Sequence, residues 1–249
     1  MTAIAAETLK HAAHRLSAKL WRVVEAQHRA STMRLVDTLD EQRALEELLE
    51  ASKPPLPAAA AHLHYLLSTP FRYPAPPPLG SRFRGIGDAG VWYGAYHVHT
   101  ALAEVAYWRL RFLTDSPATP DLPPVAHTAL RATIGGNAIV LSAPPFDRQR
   151  KRWEDPVSYV ATQALARVAR QAHIALIRYR SVRDPRHRAC VAVLTPAAFR
   201  ATAPLEQHTW LIKVSRERVL AEAGLGAERI AFEAGELGWP QPALNRAGI

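Results

Sequence analysis

GSRFRGIGDAGVWYGAYHVHTALAEVAYWRLRFL, residues 80–113, joins a glycine-punctuated loop, a short aromatic run and a long apolar one. Residues 90–93 are strand-like. Residues 100–113 have the spacing of a helix, with Thr100 placed to cap its N-terminus. Further on, residues 137–142 read as a strand. Asp155-Pro156 is a cap-then-proline helix start, followed by Ala161, Ala164, Leu165, Val168, Ala169, Ala172 and Leu176 on one face. Residues 175–179, 189–194 and 209–214 are short strand candidates. The chain shows no sustained strand–helix alternation and no regular repeat, so the expected class is α+β rather than a doubly wound sheet.

Upstream, residues 3–51 contain neither proline nor glycine. Leu16, Leu20, Val23, Val24 and Gln27 step at helical spacing, as do Leu45, Leu48 and Leu49, which predicts one long or two shorter amphipathic helices. Prolines at residues 53–57 end that pattern, because proline lacks an amide donor and clashes with the preceding turn. A short apolar piece at residues 58–67 leads to a second proline cluster at residues 74–78. The expected organisation is an N-terminal helical extension, residues 1–55, followed by the main domain, residues 56–249.

Composition narrows the class. Apolar residues are 48% and charged residues 21% of 249, values of a folded chain able to bury a sizeable core. Lys and Arg outnumber Asp and Glu by 31 to 22, so the chain carries +9, which favours an anionic ligand or partner. Cys190 is the single cysteine, so an internal disulfide is excluded. No apolar run reaches the ~20 residues that span a bilayer. Glu7, Lys10 and His11 interrupt the place where a signal peptide needs an apolar core. The expectation is a cytoplasmic globular protein without a membrane partner.

Several chemistries lack their motifs. There is no Gly-x-x-x-x-Gly-Lys-Ser/Thr loop, no Gly-x-Gly-x-x-Gly, no His-Glu-x-x-His and no Cys-x-x-Cys. Gly85, Gly87 and Gly90 only imitate a phosphate loop. His97 and His99 would share one face of an extended segment, but two ligands make an incomplete metal site, and ordinary histidines are the favoured reading. Residues 146–188 hold eleven basic and four acidic side chains, densest at Arg148, Arg150, Lys151 and Arg152 beside Trp153. A non-enzymatic nucleic-acid-binding module would use such charges on phosphates and stack on the indole. No nucleic-acid-binding signature accompanies them, and a solvated loop is preferred.

Three pieces carry more specific chemistry. Arg82 and Arg84 stand in a glycine-bearing loop before the strand that contains Tyr93. A guanidinium's planar fork suits phosphate oxygens, and an aromatic can stack on a ring. Glu104 interrupts an apolar helix face, either exposed by rotation or held half-buried for a purpose. Ser181 ends a strand between Arg180 and Arg183, as an ordinary turn serine or as a hydroxyl at an anion site.

In that order, GSRFR, GVWYGA, TALAE and IRYRSVRDP resemble the RES-domain family, named for its arginine, glutamate and serine. The likeness runs over residues 80–199 and does not reach the N-terminal helices. It implies a compact core similar to the ADP-ribosyltransferase toxins. It also implies a toxin of a toxin–antitoxin pair that cuts NAD at the nicotinamide–ribose bond, with water or phosphate as acceptor. NAD would be a substrate, with no cofactor, and the partner an Xre-type antitoxin covering the cleft. By that resemblance Arg82, Glu104 and Ser181 are catalytic. Arg82, Arg84, Tyr93, Ser181 and Arg183 bind substrate, with Arg82 favoured over Arg84 for phosphate. An ADP-ribosyltransferase modifying a macromolecule is the enzymatic alternative. The roles open to the extension are binding the antitoxin, forming a homo-oligomer or bracing the core.

Overall fold

A computed structural model describes residues 4–26, 35–75, 77 and 80–238. The elements follow in order: helix α1 (Ala6–Ala12), strand β1 (His14–Glu25), helices α2 (Leu39–Ser52) and α3 (Tyr65–Arg72), strand β2 (Trp92–Ala95) and helix α4 (Val98–Asp115). Strand β3 (Leu122–Val140), helices α5 (Arg150–Trp153) and α6 (Val160–Gln171), then strands β4 (Leu176–Arg180), β5 (Ala189–Val193), β6 (Glu206–Val214), β7 (Arg218–Ala223) and β8 (Glu228–Glu233) complete them. Gln27, Pro76 and Pro78, which entered the sequence reading, lie outside the described residues. The mixture is the expected α+β class.

The sheet is organised around β3. Along one edge it pairs antiparallel with β1 from Ala138↔His14 to His127↔Glu25. Along the other edge its first part pairs with β6 and its end pairs parallel with β4. From β6 the sheet continues to β7 and β8, and from β4 to β5 and β2. A bridge between Trp21 and Ala95 joins β2 back to β1, so β1, β2, β5, β4 and β3 close a ring. The parallel contact and the long crossover through α5 and α6 are why the fold is not a simple meander.

Alternate residues of the strands enter two cores on opposite faces. Ala129, Ile139, Ile177, Tyr179, Cys190 and Ala192 pack with α4 and α6. Leu130, Ala132, Ile134, Leu176, Val191 and Val193 pack with α3. The period of two follows from the pleat. At about 25 cal/mol per Å² of apolar surface removed from water, this two-sided burial is the main force holding the ring closed.

The helical reading of residues 14–25 is corrected here. Spacings of four and three fit one helical face, but they also distribute residues to both faces of a strand. Leu16, Ala18 and Leu20 turn to the α3 side, and Trp21 and Val23 to the α4 side. Both faces find cover, and β3 supplies the backbone partners, so the strand prevails. The N-terminal extension is therefore helical in α1 and α2 but contributes a full strand to the main sheet. Other boundaries also shift. The expected strand at residues 137–142 is the end of β3, whose start tolerates Pro123 and Pro124 beside an irregularity between Leu122 and Val125. Helix α6 begins at Val160, because the Asp155 carboxylate instead closes a turn by accepting from the Val157 and Ser158 amides at 2.8 Å. Leu176 belongs to β4. Among the described residues, no helix is long and apolar enough to cross a membrane.

Candidate active site

The end of α4 that carries Thr100 and Glu104 is tied twice to the turn after β4. Thr100 and Glu104 are four residues apart and share a helix face. The Thr100 hydroxyl donates to Asp184 Oδ2 at 2.6 Å, and the Ser181 hydroxyl donates to Glu104 Oε1 at 2.6 Å. Thr100 is thus a tie rather than the helix cap, a position taken by His97. Ser181 Oγ in turn accepts from the amides of Asp184 (2.9 Å) and Arg183 (3.1 Å). Asp184, fully buried, also receives Arg188 Nε at 2.8 Å. Burial alone would raise its carboxyl, yet the bonds from Thr100 and Arg188 hold it below the usual carboxylate range.

This frame leaves Glu104 half-buried on the wall of a cleft of about 750 Å³. Arg22, Arg82, Tyr93, Tyr159, Tyr179 and Arg183 stand around the same space. Arg82 Nη1 donates to the carbonyls of Trp153 and Asp155, both at 3.0 Å, and its guanidinium lies 5.0 Å from the Tyr159 ring. The turn that presents Arg82 requires glycine at its start. Gly80 has φ +68°, and a Cβ there would meet the Arg84 carbonyl oxygen at 2.2 Å. Arg183 stacks on Tyr107 at 3.5 Å and donates to the Pro156 carbonyl. The Tyr93 hydroxyl bonds with the Ser81 hydroxyl at 2.8 Å and accepts from the Phe83 amide at 2.9 Å, so its phenol fixes the Arg82 loop. Burial pushes Tyr93 up, only partly offset by Ser81 and the Phe83 amide, and pushes Tyr179 and Cys190 well up, keeping all three neutral.

Arg22 is the residue missed in the sequence. It projects from β1, donates to the Tyr93 carbonyl at 3.1 Å, and buries an Nε that has no partner. Burial lowers its guanidinium to about 10. Among the described residues no carboxylate pairs with this half-buried guanidinium, which lies 5.7 Å from the Trp92 ring and lines the cleft, so an anion there would be well received. The signal was present in Trp21-Arg22-Val23-Val24, β-branched and aromatic residues around one arginine, but helical spacing masked it.

Two expected site residues lie elsewhere. Arg84 does not line the cleft. Its guanidinium is spent on the carbonyls of Tyr73 (2.5 Å), Asp88 (3.2 Å) and Pro70 (3.4 Å), a structural clamp two residues from Arg82 on the far side of a tight turn. Ser181 is fully buried and outside the cleft lining, and its hydroxyl is directed to Glu104. The basic block disperses likewise. Trp153 is buried with its indole N–H on the Phe146 carbonyl, Arg150 pairs with Glu154, Arg167 with Asp88 and Arg188 with Asp184. Stacking on Trp153 is therefore closed to a nucleic acid. His99 Nδ1 accepts from Arg188 Nη2 at 2.9 Å, and its ring lies edge-on to Phe232.

The RES domain family model matches residues 55–214. The chain belongs to the RES-domain family. Arg82, Tyr93, Glu104 and Ser181 fall inside the matched span, whereas Arg22 precedes it. Among curated proteins none matches this RES-domain chain. Among solved structures, the toxin–antitoxin complex MbcT–MbcA of M. tuberculosis contains a similar chain. It is 10% identical, with 85% of this chain and 92% of that chain covered and a TM-score of 0.48.

Proposed function

We propose that this RES-domain protein is a toxin-type enzyme that cleaves NAD at its nicotinamide–ribose bond, with an Xre-type antitoxin as partner. The reading rests on one observation above the others. Glu104 lines the cleft with its carboxylate held by Ser181 at 2.6 Å, and Arg22, Arg82 and Arg183 line the same space. NAD carries a diphosphate, which Arg22, Arg82 and Arg183 would hold by charge-assisted hydrogen bonds. Nicotinamide departs as a neutral base, taking the electron pair of the broken C–N bond. The ribosyl centre then carries the positive charge, which a fixed carboxylate stabilises as in glycoside hydrolysis. Water or phosphate completes the exchange at that carbon. Ser181 keeps Glu104 in place, and Tyr93 braces the Arg82 loop while offering a ring to nicotinamide. The proposal includes a core similar to the ADP-ribosyltransferase toxins, with NAD as substrate and no separate cofactor.

The test follows nicotinamide release from NAD by purified protein, with and without phosphate. Glu104→Gln should lower the rate by about 10³-fold or more, the scale of losing one well-placed electrostatic group. Ser181→Ala should cost less. No release by the unaltered protein, or release indifferent to Glu104→Gln, overturns the reading. Radiolabelled NAD that leaves ADP-ribose on a macromolecule would instead assign the cleft to group transfer.

A further inference from the structure

Helix α4 does more at the cleft than hold Glu104. Glu104, Trp108 and Phe112 follow one another at four-residue intervals, and all three line the same cleft. The two aromatics are 45% and 51% exposed. Other large side chains of this helix, Tyr107, Leu110 and Leu113, are buried. Rising 1.5 Å per residue, the helix sets Trp108 about 6 Å and Phe112 about 12 Å along its axis from Glu104. Strand β1 runs along the cleft beside it in the same sense. Arg22 reaches Tyr93 at the Glu104 end, and Glu25 pairs with Arg109 farther along. The Trp108 ring is held from two sides. Tyr107 meets it edge-on at 5.4 Å, and Arg111, paired with Asp115, lies over it at 5.8 Å.

The cleft therefore carries Glu104 toward one end and two exposed aromatic rings about 6 and 12 Å farther along the same helix. We propose that Trp108 and Phe112 form a stacking platform for the purine base in the distal half of the substrate. This rests on the NAD-cleaving reading of the same cleft and adds to it a specificity device. Aromatic side chains with a fixed plane give bases a stacking surface regardless of edge chemistry. Two such rings side by side on a cleft wall form the kind of exposed apolar patch that marks a binding site. The platform would let the enzyme prefer a dinucleotide over a mononucleotide with the same scissile bond.

Two measurements with the variant Trp108→Ala/Phe112→Ala test this. The first compares kcat/KM for NAD with that for nicotinamide mononucleotide, which lacks the adenylate half. The NAD preference of the unaltered enzyme should collapse by roughly ten-fold or more, mainly through KM, the order expected for lost base stacking. The second titrates AMP into the unaltered protein and the variant by calorimetry, and the variant should bind at least about ten-fold more weakly. AMP binding that depends on the platform in a protein that cleaves neither nucleotide would keep the purine site and sink the NAD-cleaving reading. An unchanged NAD preference, or AMP affinity that is absent or indifferent to the two aromatics, overturns the proposal. Melting curves for the variant confirm that it folds, as the exposure of both rings leads one to expect.

Discussion

Strand β1 and helix α2 are neighbours in the chain, both precede the matched RES span, and both carry leucines at helical spacing. Their fates differ. Strand β1 is hydrogen-bonded along β3, buries Leu20 and Val23 on opposite faces, and brings Arg22 to the cleft. Helix α2 buries no residue and leaves Leu39 and Leu48 about 70% exposed. It is held by local means, a capping box between Thr38 and Glu41 and the pairs Asp40–Arg43 and Glu50–Lys53. One longer tie, Glu50 to Arg72 at 2.6 Å, fastens it to α3. Apolar spacing is thus shared, and what separates the two is where stabilisation comes from. Helix α2 is rich in Glu, Leu and Ala and satisfies its own backbone. Strand β1, with Trp21, Val23 and Val24, needs another strand to do so.

The contrast can be broken most directly in the core. Leu20→Asp should place an unpaired charge in a closed apolar space and cost more than about 4 kcal/mol, abolishing cooperative thermal unfolding. If instead the variant melts like the parent, β1 is not part of the core. Next in size is Arg22→Ala. It should lower nicotinamide release by about 10²-fold while the melting temperature holds or rises, since the half-buried guanidinium carries a buried, unsatisfied Nε. A loss of activity that merely follows a loss of folding would make Arg22 a structural residue.

A smaller effect should appear with pH. His127 faces Glu25 across the β1–β3 ladder, its Nδ1 on the Val125 carbonyl at 2.9 Å and Arg109 at its other nitrogen. Burial, with Arg109 adding to it, holds the imidazole below its ordinary 6.5. The unfolded chain therefore takes up a proton first as pH falls through 6.5. The stability that neutral His127 contributes is full above that value and drains away below it. The melting temperature should decline between pH 7 and 5, and His127→Gln should flatten the slope in part. His99, lowered by burial and by Arg188, supplies some of the remainder. An identical slope in the variant would place the titration elsewhere. Least of all, Leu48→Asp in α2 should shift global stability by no more than about 0.5 kcal/mol. Thr38→Ala should cost about 1 kcal/mol in that helix alone, read as faster amide exchange over residues 39–45. A global loss from either would show that α2 is packed like β1.

The sequence was most readable where signals are local. Strands β2, β4, β5 and β6 fall near their expected positions because each is a short apolar run, and helix α4 does so because its apolar residues keep helical spacing over a long run. The expected cleft residues Arg82, Tyr93, Glu104 and Arg183 do line one space. The sequence was least readable where a choice depended on distant chain. Strand β3 starts 15 residues earlier than its visible end, through two prolines, because β1 and β6 flank it. Arg82 and Arg84 look equivalent in GSRFR, yet only a tight turn decides that one faces the cleft and the other the carbonyls of Pro70, Tyr73 and Asp88.

What the amino-acid sequence determined by itself is the inventory: an α+β chain, a basic balance, and an arginine, a tyrosine, a glutamate and a serine in family order. Residue type and spacing carry that information along the chain. What only the tertiary structure decided is who meets whom. Helix α4 and the turn at Ser181 are far apart in sequence, and β1 is farther still. Only closure of the strand ring and burial on both its faces set Glu104, Ser181 and Arg22 within one site, since hydrogen bonds and burial act through space.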